Sequence, residues 1–292
     1  MTKLKQGMLL AACAGALFTT RAADLRVVGT DLLGVEFSKA LHAAAGRAGL
    51  TLALALDGSL PGREEFKADR ADLGIFVFAP GEEAGAAAFE RVPLAYHRVV
   101  VLVPVVSPLE QLTLAQLDGI FGAGGPLNLV RWGELGLTGT WANGVIAPQV
   151  PAVGVGLDAD FFRHTVLHDR AFKATVARFD TSADLMARLA GDSRIIALAP
   201  APPRGMPSAR VVALAARAGD PAFLPTPENL HSGDYLLRLP LWLVFRREST
   251  PTLQPLLRFL FSDEAAVLFE HADLAPLPSA ARRQQLLAFE KP

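Results

Sequence analysis

Two clusters in this sequence carry the residue types that metal and catalytic sites use. Asp160, His164 and His168 are spaced by four, so a helix would set them on one face. Carboxylate and imidazole are common ligands of divalent metals. No fourth ligand is evident, and a solvated helix face is the favoured reading. His231, Ser232 and Asp234 supply the groups of a hydrolase. Neighbours in one loop do not reach triad geometry by spacing alone, and the chain has no Gly-x-Ser-x-Gly elbow. Gly122, Gly124 and Gly125 lack the Lys-Ser/Thr ending of a phosphate loop. A non-enzyme is therefore expected, with no cofactor and no metal. Trp132 and Trp141 read as packing, and Arg282 and Arg283 as a solvated helix face.

Composition bounds what the chain can be. It has 292 residues, 51% of them hydrophobic and 20% charged, enough for a substantial core and unlike a disordered chain. Formal net charge is -1 and the basic residues are scattered, so no nucleic-acid partner is expected. At the N-terminus Lys3 and Lys5 precede an apolar stretch from Gly7 to Phe18, then Thr20-Arg21-Ala22. That is the pattern of a secretory signal, and residues 1–22 are read as one. The stretch is short of the roughly 20 residues that span a bilayer. Cleavage after Ala22 would remove Lys3, Lys5, Arg21 and the single cysteine, and no acidic residue, taking net charge from -1 to -4. The mature chain would then have no thiol for disulfides or catalysis. Leu10-Ala11-Ala12-Cys13 has the form of a lipoprotein box, which would make Cys13 a lipid anchor. The apolar run continues past Cys13, which favours the free, exported form.

The rest reads as strand, loop and helix in repetition, an α/β pattern. A strand at Leu25–Val28 is followed by a turn and cap at Gly29-Thr30-Asp31. A helix over 33–48 is expected to bury Val35, Phe37, Leu41 and Ala45. An apolar run at 50–56, a helix at 62–68 and a strand from Ile75 to Phe78 come next. Val99 to Val103 are five consecutive aliphatics, the mark of a strand buried on both faces. Thr113 and Gln116 fit a capping box for a helix ending near Ile120. Helices are expected at 158–167, 182–190, 252–261, 263–271 and 280–289, the last of them exposed. A strand is expected at 193–198, and residues 199–227 read as Pro- and Ala-rich and irregular at their ends. Pro240 inside a strand at 236–245 signals an edge, a bend or a crossover.

Four stretches, in order, carry a resemblance. They are Gly58-Ser59-x-x-Gly62 with Ala71-Asp72-Leu73-Gly74; Leu112-Thr113-Leu114-Ala115-Gln116-Leu117-x-x-Ile120-Phe121-Gly122 with Arg131-Trp132-Gly133-Glu134-Leu135-Gly136; Gly233 through Trp242; and Phe259 through Glu264, closing with Leu274-Ala275-Pro276-Leu277-Pro278. Together they resemble the phosphate-binding (PstS-type) solute-binding proteins of ABC importers, of the type II periplasmic-binding fold. The resemblance runs over nearly the whole chain after residue 22. It implies two α/β lobes, each a mixed, mostly parallel sheet flanked by helices. The crossovers would fall near 96–104 and 236–245. Residues 23–98 and 240–292 would form one lobe, and residues 99–239 the other.

The same resemblance implies an extracytoplasmic monomer that holds a small anion, phosphate or another oxyanion, in the cleft and delivers it to an ABC permease. An oxyanion needs helix N-termini, hydroxyls and a guanidinium. The family's loops match Gly29, Thr30 and Asp31, then Gly58 and Ser59, then Gly154 and Gly156, and these are the candidate ligand residues. Ser59 is the foremost, against the alternative of a plain turn serine. Asp31 reads more readily as a cap, since its charge would repel an anion. The chain departs from the family where Ile75, Phe76 and Val77 replace a serine–aspartate pair. It departs again where Pro151, Val155 and Leu157 stand for the family's Arg, Ser and Thr. Each departure removes a donor, which keeps a second reading open: a degenerate binding fold acting as an interaction or regulatory module outside the cytoplasm.

Overall fold

The computed structural model describes residues 24–78, 89–152, 157–201 and 208–290. The expected signal at 1–22, Cys13, Gly154, Gly156 and Val155 lie outside the described residues.

The first half of the chain alternates strand and helix. β1 (Asp24–Gly29) leads through a 3-10 turn at Asp31–Leu33 into α1 (Gly34–Arg47). α1 buries Phe37, Leu41, Ala44 and Ala45. Val35, expected inside, is 69% exposed. At about 100° per residue it lies nearly opposite Phe37 on the helix, so the stripe that starts at Phe37 cannot include it. β2 (Thr51–Ala55), α2 (Ser59–Lys67) and β3 (Leu73–Val77) follow. α2 starts three residues before the expected 62, because Gly58 already serves as its cap.

β4 (Phe89–Arg98) and β5 (Val100–Pro104) carry the chain from one sheet to the other. Every residue of β5 is buried. Val101 and Val103 face the main core, while Val100 and Leu102 face a second cluster with Leu185 and Leu189, as the two-residue period of a strand requires. β6 (Gln111–Thr113) runs into α3 (Leu114–Phe121). Thr113 and Gln116 form the capping box, with Gln116 N–H donating to Thr113 Oγ1 at 3.1 Å and Thr113 N–H to Gln116 Oε1 at 2.9 Å. Trp132 is fully buried and meets Trp141 edge-on at 5.9 Å.

β7 (Ala147–Pro151), α4 (Asp158–Thr165), β8 (Ala177–Phe179), α5 (Ser182–Gly191) and β9 (Ile195–Ala199) continue the pattern. The middle of the 199–227 stretch contains two short strands, β10 (Ala209–Val211) and β11 (Ala213–Ala215). Three-residue strands carry too little periodicity to show in sequence, and their pairing with β5 and β6 fixes them. The chain closes with α6 (Pro227–Ser232), β12 (Arg238–Arg246), α7 (Thr250–Leu260), α8 (Asp263–His271), β13 (Ala275–Pro276) and α9 (Ser279–Glu290). α9 is not simply exposed, because Phe289 packs on Phe245 and Phe261. Arg282 is buried, donating to Leu277 O at 2.7 Å and pairing with Asp263. The arginine pair is therefore split: Arg282 ties α9 to the start of α8.

The strands form a six-stranded mixed sheet, β13-β4-β12-β3-β1-β2, and a five-stranded mixed sheet, β10-β5-β9-β7-β8. Parallel pairing covers β3-β1-β2 and β9-β7-β8, and the return strands β4, β12, β5 and β13 add antiparallel pairs. Pro240 sits opposite Tyr96 of β4, one residue before β12 takes up its register with β3 at Leu241. A bulge follows between Leu241 and Trp242. The missing N–H thus falls at the end of the three-strand overlap.

The chain passes between the sheets at Val99 and again around Leu237, and the two passages are tied together. Val99 N–H donates to Leu237 O at 3.0 Å, and Tyr235 Oη donates to Val99 O at 2.8 Å. Burial pushes the Tyr235 hydroxyl far above its usual range, so it stays a donor. Tyr235→Phe should cost about 1–2 kcal/mol of unfolding free energy, the loss of a buried hydrogen bond that leaves a carbonyl unpaired. Urea denaturation reads this directly, and an unchanged midpoint would remove the tie between the passages.

Candidate functional site

Three loops meet where the parallel strands β1, β2 and β3 end at their C-termini, the edge at which open α/β sheets hold ligands. Their joining is made by the backbone. Thr30 N–H donates to Ile75 O at 2.8 Å, Gly58 N–H to Gly29 O at 2.9 Å, and Val77 N–H to Ser59 Oγ at 2.9 Å. Glycine is required at two points. A Cβ on Gly29 would run into the Ile75 carbonyl oxygen, and one on Gly62 would lie 2.9 Å from Gly29 N. Gly62 thereby lets the first turn of α2 lie directly on the end of β1.

That first turn is rich in donors. Gly58 caps α2 without a side-chain bond. The N–H groups of Ser59 and Leu60 have no acceptor within the helix, and Pro61 contributes none. Gly62 N–H reaches Gly58 O at 3.2 Å. Ser59 is half-buried, and with its oxygen accepting from Val77 it still has its own O–H to give. Thr30 is 3% exposed, and its Oγ1 accepts from Leu32 N–H at 3.3 Å, so Thr30 caps the 3-10 turn. Asp31, read as the cap, is instead the first residue of that turn and is exposed. A hydroxyl in extended backbone one residue earlier reaches the free N–H first. The corner therefore gathers Gly29, Thr30, Gly58 and Ser59, with Asp31 at its rim.

The positions that depart from the resemblance are structural. Ile75 faces the main core and Phe76 the opposite side of β3, against Phe66 and Phe78. Pro151 ends β7 and is buried, and Leu157 precedes α4, partly buried against the main core.

One polar pair was invisible in sequence. His97, at the end of β4, and Asp158, the first residue of α4, are 6% and 4% exposed and lie 3.1 Å apart, Nε2 to Oδ1. The contact is close in distance but off the alignment of a hydrogen bond, and neither atom has a hydrogen-bond partner among the described residues. It links a strand of the six-stranded sheet to a helix packed on the five-stranded one. The only hint was a histidine next to the apolar run that starts at Val99.

The clusters of chemically capable residues do not assemble. α4 ends at Thr165, and His168 lies beyond it in a left-handed conformation, φ 51°. His164 Nδ1 meets Asp169 at 3.1 Å and Asp160 meets Arg163 at 3.4 Å. Among the described residues, no group of three or more His, Cys, Asp or Glu could hold a metal ion. Ser232 Oγ donates to Asp234 Oδ2 at 2.6 Å, while His231 Nδ1 is 3.1 Å from the Tyr96 hydroxyl. The histidine is thus engaged away from the serine, which is no triad. Among the described residues, no helix is long and apolar enough to cross a membrane.

No protein-family profile matches the chain, and no curated protein matches it. Solved structures do. A "possible phosphate binding protein" from Planctomyces limnophilus DSM 3776 has TM-score 0.65 at 17% identity, over 92% of this chain and 99% of that one. An ABC-type phosphate transport receptor from Vibrio cholerae has TM-score 0.60 at 15% identity, over 87% and 100%. PstS from Borrelia burgdorferi has TM-score 0.70 at 11% identity, over 88% and 99%. The chain has the two-lobed α/β fold of these phosphate-binding proteins, at a wide sequence distance.

Proposed function

We propose that the chain is an extracytoplasmic, non-enzymatic solute-binding protein that holds a small oxyanion in the cleft between its lobes and hands it to an ABC permease. The observation that carries this is the donor corner. An uncapped helix end, the Ser59 hydroxyl and the buried Thr30 converge at the C-terminal ends of three strands. Gly29, Thr30, Asp31, Gly58 and Ser59 would contribute from one lobe, and Gly154 and Gly156 from the other. The division into 23–98 with 240–292, and 99–239, is supported by which strands each sheet contains. The transport role is supported by what the structural neighbours are: a phosphate transport receptor and PstS. Export is supported by the charge and hydropathy pattern of residues 1–22.

Calorimetric titration of residues 23–292 with phosphate, with sulfate and molybdate beside it, tests this. Micromolar binding of one oxyanion is expected. Ser59→Ala should weaken it by about tenfold or more, the worth of a hydrogen bond to a charged group, and Thr30→Val by a smaller factor. The absence of heat with every oxyanion would sink the reading. The second reading, a binding fold that has become an interaction module, would then stand. It is favoured by the apolar Ile75, Phe76 and Pro151, and by the Asp158 carboxylate at the positive end of α4, where an anionic ligand would otherwise gain.

A further inference from the structure

A shallow pocket of about 390 Å³ opens on the five-stranded-sheet half of the molecule, lined by Arg163, Phe172, Lys173, Val176 and Arg178 with two alanines. Its charge is one-sided. Arg163 comes from the exposed side of α4, Arg178 from the edge strand β8, and Lys173 from the segment between them, with no carboxylate in the lining. Like charges gathered on one cavity raise the local potential for anions.

Two of the cations are held in place. Phe172 forms a platform, stacked on Phe162 at 6.2 Å and 12°, and the Arg178 guanidinium lies 5.9 Å over its ring. Arg178 Nη1 also reaches Pro151 O at 3.4 Å. Lys173 stands behind the pocket, its ammonium donating to the carbonyls of Gly119 and of Leu129, the latter at 3.2 Å. The nearby carboxylates do little to cancel this charge. Asp160 meets Arg163 at 3.4 Å with both side chains about half exposed or more, a pair worth little. Glu134 and Asp118 act on Lys173. Even so, burial holds the Lys173 ammonium below its usual value, so a nearby anion would relieve it.

We propose that this pocket is a second anion site, separate from the cleft, which takes a small divalent oxyanion between the Arg163 and Arg178 guanidiniums. It stands on its own residues and does not depend on what the cleft holds. Planar guanidinium forks suit oxyanions of two charges, and the volume fits a small ligand.

The test is an amide-resolved NMR titration of residues 23–292 with sodium sulfate, at constant ionic strength set by sodium chloride. Sulfate should move the Ala174 and Val176 amides saturably, and chloride alone should not. The Arg163→Gln/Arg178→Gln variant should weaken that response at least tenfold, while Ser59→Ala with Thr30→Val leaves it unchanged. Arg163→Gln alone, at a half-exposed helix position, covers the case in which the double variant fails to fold, and should weaken it severalfold. The proposal is overturned if the amides do not move, if chloride moves them equally, or if the arginine variants titrate like wild type. A response lost with Ser59 and Thr30 would assign the effect to the cleft and equally overturn it.

Discussion

Gly29→Ala is expected to cost about 3 kcal/mol of stability and to abolish ligand binding at the corner. The methyl group has no room, because its direction points at the Ile75 carbonyl oxygen. β1 and β3 are joined in parallel register there, Gly29 opposite Ile75, so relief requires separating two central strands. Overpacking of this kind typically costs 1–3 kcal/mol, and more when backbone must move. For a chain of this size the thermal midpoint should fall by roughly 5–10 °C. Scanning calorimetry checks the stability, and phosphate titration checks the site. Gly62→Ala makes a useful partner, since its Cβ would lie 2.9 Å from Gly29 N and 3.1 Å from the Phe76 ring. It should shift α2 away from the corner with a smaller loss of stability. If Gly29→Ala melted like wild type, the tight junction of β1, β3 and α2 would be wrong, and with it the preorganisation on which the donor corner depends.

His97→Leu is the second large effect, expected to destabilise the chain by about 3 kcal/mol, as stripping a buried carboxylate of its polar neighbour does. The reason is what remains. Asp158 would be a carboxylate 4% exposed with its His97 contact gone. The reverse substitution, Asp158→Leu, should cost less, because it removes the buried carboxylate itself and strands only an imidazole. The double variant should recover much of the loss, since two apolar groups can replace a buried pair with little penalty. Urea unfolding of all four proteins gives the coupling energy. Purely additive losses would show that the two side chains are neighbours without interaction. Because the pair links β4 to α4, the single variants should also loosen the joining of the two sheets, which limited proteolysis would detect as faster cleavage.

Much of the architecture was legible locally. The burial of Val99 to Val103 followed from an unbroken aliphatic run, and the helix start at Thr113 followed from a hydroxyl placed to cap it. These signals are short-range: a cap and the groups it satisfies lie within four residues, and a strand's faces alternate every two. The resemblance in segment order pointed to the two-lobed fold, and the structural neighbours show that fold. The site was legible only as loops. Glycine, threonine and serine after two strands pointed to the corner, but not that Ser59 accepts from Val77 or that Thr30, rather than Asp31, makes the cap.

The misreading of Arg282 and the unseen His97–Asp158 contact share one cause, whereas Val35 is a local misreading of the helical period. Arg282 looked like half of a solvated pair, yet it is buried against Leu277 and Asp263. His97 and Asp158 gave no sign of one another. Val35 was apolar at a position the helix turns outward. The sequence by itself determined which segments become most of the strands and helices and where several helices begin, because those depend on neighbours within a turn or two of chain. The tertiary structure alone decided which polar groups meet: the strand order brings Ile75 to Thr30, β4 to α4 and β8 beside the end of β7. Pairing between residues far apart in the chain is set by strand order and burial, and no local period encodes either.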